Sequence, residues 1–80
     1  MSGIFAIKLE TPRDVSNFVT AASSCPSNIS ITASHGGYKV DAKSIMGIYS
    51  LNLSKPILIT IDDDEYDTYI EKFVRWRTTE

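Results

Sequence analysis

The sequence predicts an α+β open-faced sandwich in the order βαββαβα: a four-stranded antiparallel sheet with three helices on one face. Three observations predict it. Four segments alternate apolar and polar residues with period two, so each offers one buried and one largely polar face, as in an antiparallel sheet covered on one side. The segments between and after them carry apolar residues at helical spacing. The chain has 80 residues and is 42 % hydrophobic, which suits one domain, residues 1–80, packing two layers around a single core.

Each element has its own signal. Phe5, Ile7 and Leu9 alternate with Ala6, Lys8 and Glu10 as the first strand. Val15, Phe18, Val19 and Ala22 then form one stripe of a helix. Thr11-Pro12-Arg13-Asp14 supplies its start, with a threonine cap, proline in the first turn and an acid three residues on; Cys25-Pro26 ends it. Ile29, Ile31 and Ala33 make the second strand, Tyr38 and Val40 the third. Between them Gly36-Gly37 makes a tight hairpin, because glycine accepts the positive φ of such turns, and His35 falls in that turn. Ser44 opens a short second helix with Ile45, Met46, Ile48, Tyr49 and Leu51, and Asn52 suits a left-handed closing residue. Ile57, Ile59 and Ile61 are the fourth strand. The acidic run Asp62-Asp63-Asp64-Glu65 starts a third helix carrying Tyr66, Tyr69, Ile70, Phe73, Val74 and Trp76.

Composition excludes several classes of function. No apolar run approaches the roughly 20 residues of a membrane-spanning helix, and Lys8 and Glu10 stand where a signal peptide would be apolar. The expectation is a cytoplasmic protein without a membrane partner. Cys25 is the sole cysteine, so no internal disulfide or thiolate zinc site is expected, and its apolar position makes it a small hydrophobe. Eight basic residues against ten acidic ones give a net charge of −2. The basic residues are scattered, with only Arg75 and Arg77 close together, which argues against a nucleic-acid partner. The acidic run lacks the alternating ligands and turn glycine of a calcium loop, so no metal is expected there. With no nucleophile–base pair, metal set or phosphate loop, neither an enzyme nor a cofactor is expected.

The run Lys43-Ser44-Ile45-Met46-Gly47-Ile48-Tyr49-Ser50-Leu51 closely resembles the second-helix motif of HPr, the histidine-containing phosphocarrier of the bacterial sugar phosphotransferase system. Gly37-Tyr38-Lys39-Val40-Asp41-Ala42 and Ile57-Leu58-Ile59-Thr60-Ile61-Asp62 extend the resemblance over nearly the whole chain. It implies the same fold and protein partners, either components of that system or a transcriptional regulator. In the family, the loop after the first strand reads approximately Gly-Ile-His-Ala-Arg-Pro-Ala. Its histidine stands at the start of helix one and accepts phosphate from enzyme I. Here the corresponding stretch is Glu10-Thr11-Pro12-Arg13-Asp14-Val15, shorter and without histidine. Arg13 then corresponds to the family's phosphate-neighbouring arginine, and Asp14 offers only a permanent negative charge. The resemblance implies a domain that does not relay phosphate through a histidine and acts by partner binding or regulation; an interaction module unrelated to sugar transport is the alternative.

His35, the only histidine, reads as a solvated turn residue, since phosphotransfer needs an imidazole near helix amides and a cation. Ser44 reads as a helix cap, worth about 1 kcal/mol. In Gram-positive members of the resembled family the serine of this motif is also phosphorylated by a dedicated kinase, which makes Ser44 the candidate regulatory site. Ile45, Met46 and Tyr49 cannot all face the core if Ile48 and Leu51 do. They form either an exposed partner-binding patch, or a cluster with Ile45 half-buried and Tyr49 folded over the sheet edge.

Overall fold

The computed structural model describes residues 2–78. The order is β1 (Ser2–Ile7), α1 (Pro12–Ser23), β2 (Ser30–His35), β3 (Tyr38–Asp41), α2 (Ile45–Tyr49), β4 (Ile57–Asp62) and α3 (Tyr66–Ile70), followed by a 3-10 helix, Glu71–Trp76. The sheet runs β1-β4-β2-β3 with every neighbouring pair antiparallel. This is the expected open-faced sandwich. The period-two alternation decides which face is covered: Phe5 pairs with Ile59, Ala33 with Ile59 and Val40, so Phe5, Ile7, Ile31, Ala33, Ile57, Ile59 and Ile61 all point under the helices and are buried. Ile4, Ser30, Thr32, Leu58 and Thr60 alternate onto the open face. Among the described residues no helix is long and apolar enough to cross a membrane.

Helix α1 begins with a complete capping box. The Asp14 amide donates to Thr11 Oγ1 at 3.0 Å, and the Thr11 and Glu10 amides donate to Asp14 Oδ2 at 3.3 and 3.1 Å. Its inner stripe of Val15, Phe18 and Ala22 is buried. Phe18 meets Phe73 at 5.3 Å between ring centroids and Trp76 edge-on at 5.8 Å, while Phe5 stacks on Phe73 at 5.9 Å. Full burial of such a ring stabilises by roughly 1.5–3 kcal/mol. This aromatic cluster locks the 3-10 helix against both α1 and the sheet.

Four sequence expectations are corrected. The third helix does not run unbroken from the acidic residues. Its α-helical part begins only at Tyr66, and after Ile70 the chain tightens into the 3-10 helix. Three residues per turn align Ile70, Phe73 and Trp76 in one row; Phe73 and Trp76 are buried and Ile70 packs against the core. The same rotation leaves Val74 52 % exposed rather than in the stripe. Asn52 is not left-handed, for among the described residues only Gly36 and Gly37 have positive φ, 61° and 83°. Ser50 closes α2 in the right-handed region, its Oγ donating to the Gly47 carbonyl at 2.5 Å. Asn52 instead accepts from the amide and hydroxyl of Ser54 at 3.2 and 2.6 Å. His35 is not in the turn: the two glycines supply both left-handed residues, so pairing continues to His35 opposite Tyr38 and the imidazole is half-buried. Finally, β1 stops at Ile7 rather than Leu9. The Lys8 amide turns to the Trp76 carbonyl at 2.9 Å, and Leu9 drops into the core.

Candidate functional site

Two clefts meet at the start of α1. One, of about 410 Å³, lies between the first turn of α1 and the chain's last described residues; Lys8, Arg13, Arg75 and Arg77 line it together with Glu10 and Asp14. Local hydrogen bonding explains why the C-terminal arginines reach this place. Besides the Lys8 bond, the Thr78 amide donates to the Ala6 carbonyl at 3.1 Å, and Arg77 bridges to Ile7 in antiparallel register. The Arg75 guanidinium sits 4.5 Å above the Trp76 ring and that of Arg77 lies 5.6 Å from the Phe5 ring. The other cleft, about 470 Å³, is more apolar: Leu9, Pro12 and Val15 face Tyr49 and Leu53 across it. Lys8 stands between the two clefts, its ammonium donating to the Leu53 carbonyl at 3.4 Å.

The amides at the start of α1 are already engaged. Asp14 turns its carboxylate back onto them, and its pKa is held below the ordinary aspartate value, first by the Glu10 amide and then by the Thr11 amide, the Trp76 indole N–H and the Thr11 side chain. Slight burial opposes the shift. The helix therefore carries its own anion. Arg13 is exposed on the first turn of α1 and lines the basic cleft. His35 lines a third cleft with Lys55, Pro56 and Leu58, which shares no residue with either cleft at α1.

Ser44 is the N-cap of α2, accepting from the Gly47 amide at 3.2 Å. Beside it the Lys43 ammonium donates to the carbonyls of Pro26 and Ile29 at 3.1 and 2.9 Å, tying α2 to the loop after α1. Ile48 is fully buried under α2. Because the helix has a single turn and a half, this leaves Ile45, Met46 and Tyr49 outward, at 40, 77 and 48 % exposure. Tyr49 extends this patch into the apolar cleft at α1. Cys25 is buried, and desolvation pushes its thiol pKa up despite Lys72 and Lys43 nearby. Among the described residues no group of three His, Cys, Asp or Glu side chains is placed to hold a metal ion.

Two features were not legible in the sequence as site features. Nothing in the alternation of Leu9 or the spacing of Tyr49 says that they face each other across a cleft. Arg75 and Arg77 stand out as a close basic pair, but their joining Lys8 and Arg13 depends on the chain's end pairing with β1.

Residues 12–76 match the family described as "PTS HPr component phosphorylation site". No curated protein matches the chain in sequence. Among solved structures, HPr-C-His from Thermoanaerobacter tengcongensis is 30 % identical, with a TM-score of 0.70 over 94 % of this chain and 88 % of that one. The phosphocarrier protein HPr from Bacillus anthracis str. Ames is 23 % identical and shares the fold, with a TM-score of 0.73 over 96 % of this chain and 98 % of that one. The matched family region begins at Pro12, the first residue of α1, and runs to Trp76, which closes the basic cleft. On this match and the likeness to the T. tengcongensis protein, the chain belongs to the HPr family of the phosphotransferase system.

Proposed function

We propose that this HPr-family chain acts by recognising protein partners and does not relay phosphate through a histidine. One observation carries the reading. At the start of α1, where the family motif sets its acceptor histidine, Thr11 is the N-cap and the Asp14 carboxylate closes the box over the Glu10 and Thr11 amides. A threonine hydroxyl engaged by an amide is no substitute for an imidazole, and a fixed carboxylate beside it repels an incoming phosphoryl group. His35 stands in a cleft of its own with no lining residue from α1. It is no acceptor in this reading, and the chain is not an enzyme.

What remains is a docking surface. Ile45, Met46 and Tyr49 form an exposed apolar patch on α2 that continues into the cleft against Leu9 and Pro12. Adaptable Met and Tyr side chains around a rigid turn suit a protein partner, with components of the phosphotransferase system or a transcriptional regulator as the classes expected. Ser44, at the edge of that patch, is the site at which phosphorylation would regulate docking. A phosphate there adds up to two negative charges where the α2 dipole tolerates them.

The test has two parts. Incubation with enzyme I and labelled phosphoenolpyruvate should leave the protein unlabelled, whereas acid-labile label on His35 overturns the loss of relay. In pull-downs from host extract, Met46→Asp should lose the transport-system or regulatory proteins that the wild type retains, with an unchanged melting curve. Equal retention would move the docking surface off α2.

A further inference from the structure

We propose that the open face of the sheet is a self-association surface, on which a second copy of the chain stacks face to face about a two-fold axis running across the strands. The proposal is independent of partner docking, because this face points away from the helices and leaves α2 uncovered. The strand register fixes what the face carries. One row across the sheet is Ala6, Leu58, Ser34 and Lys39; the next is Ile4, Thr60, Thr32 and Asp41; Asp62 and Ser30 follow. Ile4 is 66 % exposed, whereas Ala6 beside it on the same strand is only 9 % exposed, so an apolar knob stands next to a recess. The charges are segregated along the strands. Lys39 stands in the row nearest the Gly36-Gly37 turn, and beyond that row Lys55 lines a cleft of about 480 Å³ with His35, Pro56 and Leu58, whose wall carries no acid. Asp41 and Asp62 stand toward the opposite end. Among the described residues the side chains of Lys39, Lys55 and Asp62 have no hydrogen-bond or ion-pair partner, and Asp41 spends one carboxylate oxygen on the Lys43 amide at 2.9 Å.

A second copy turned end for end complements this pattern. A two-fold axis across the strands, midway between the first two rows, sets each strand over its own equivalent running the opposite way. The first row of one copy then faces the second row of the other. Lys39 lies over Asp41, Leu58 over Thr60, and Ile4 over the recess at Ala6, each contact made twice. The same rotation carries Asp62, two residues beyond Thr60, over Pro56, two residues before Leu58, so its carboxylate meets the cleft beside Lys55. A two-fold axis along the strands would instead bring Asp62 near Asp62 and Lys55 near Lys55, like charges that repel. Sheet twist turns the stacked strands about 30° across one another without changing which ends meet. From Pro56 to Asp62 and across four strands the face measures roughly 23 by 19 Å, or about half of the roughly 800 Å² that each partner of a stable interface buries. The dimer is therefore weak and forms at high concentration.

Sedimentation equilibrium and amide NMR spectra of the full chain, followed from micromolar to millimolar concentration, test the proposal. The average mass should rise above that of the monomer in the millimolar range. Concentration-dependent shifts should map to Ile4, Ala6, Thr32, Leu58 and Thr60, while Met46 on α2 stays still. Ile4→Ser, at an exposed position outside the core, should weaken association about tenfold by removing two apolar contacts. Asp62→Lys should weaken it similarly by setting a lysine against Lys55 twice. Adding Lys55→Glu to that variant should restore wild-type association, because the pair is then reversed on both copies. Thermal melts matching the wild type show that each variant is folded. A monomer at millimolar concentration, concentration-dependent shifts confined to the helices, or a reversed pair that associates no better than Asp62→Lys alone overturns the proposal.

Discussion

Replacing the Ser44 side chain separates capping from regulation. Its Oγ accepts from the Gly47 amide at 3.2 Å, and its carbonyl accepts from the Ile48 amide at 3.0 Å. These bonds position a five-residue helix that exists to seat Ile48, which is fully buried. Ser44→Ala removes the side-chain cap and should cost about 1 kcal/mol. For a domain of this size that corresponds to a fall of about 4–8 °C in Tm. Aspartate caps as well as serine, and its charge at the helix start contributes a further 0.3–1 kcal/mol or so in its favour. Ser44→Asp should therefore melt at or slightly above the wild type. Differential scanning calorimetry of the three proteins at one pH and salt reads this order directly. If the aspartate variant melts as low as the alanine variant, or the alanine variant melts with the wild type, the hydroxyl is not acting as a cap. A partner captured by the wild type then completes the experiment. A cap alone leaves affinity for Ser44→Asp unchanged, whereas a switch alters affinity at constant Tm.

Two further outcomes follow from the packing and the electrostatics. Gly3 pairs with Ile61 on the covered side of β1, where the Tyr66 ring occupies the place a Cβ would take. Gly3→Ala must displace the base of that ring and should cost about 1–3 kcal/mol, read as a lower urea midpoint; an unchanged midpoint would mean that Tyr66 is free to swing away. Asp14 has a folded-state pKa depressed chiefly by the Glu10 amide, so its contribution to stability is present above the unfolded value of about 3.9 and is lost as pH falls through the lower folded value. Asp14→Asn should flatten the acid-side fall of Tm, and parallel wild-type and variant curves would refute the box as its source.

Local chemistry sufficed for much of the molecule. Period-two alternation allows only one set of side chains per strand to be buried, so the sheet, its covered face and the Gly36-Gly37 turn could be read from neighbouring residues. The Thr11 box and the Ser44 cap are likewise decided within four residues, and the absence of histidine from the start of α1 is a fact of sequence. Where the third helix changes pitch is not decided locally. Tyr66, Tyr69, Ile70, Phe73 and Trp76 fit an α-helical stripe nearly as well as a threefold row, and the choice falls to the row because Phe73 must meet Phe5 and Phe18 while Trp76 meets Phe18. That choice carries Arg75 and Arg77 to β1, and with them the basic cleft, whose members come from opposite ends of the chain. The sequence determines which surfaces must be buried. Only closure of the aromatic core decides which distant charges then share one cleft, because burial gains its energy from contacts made across the whole chain.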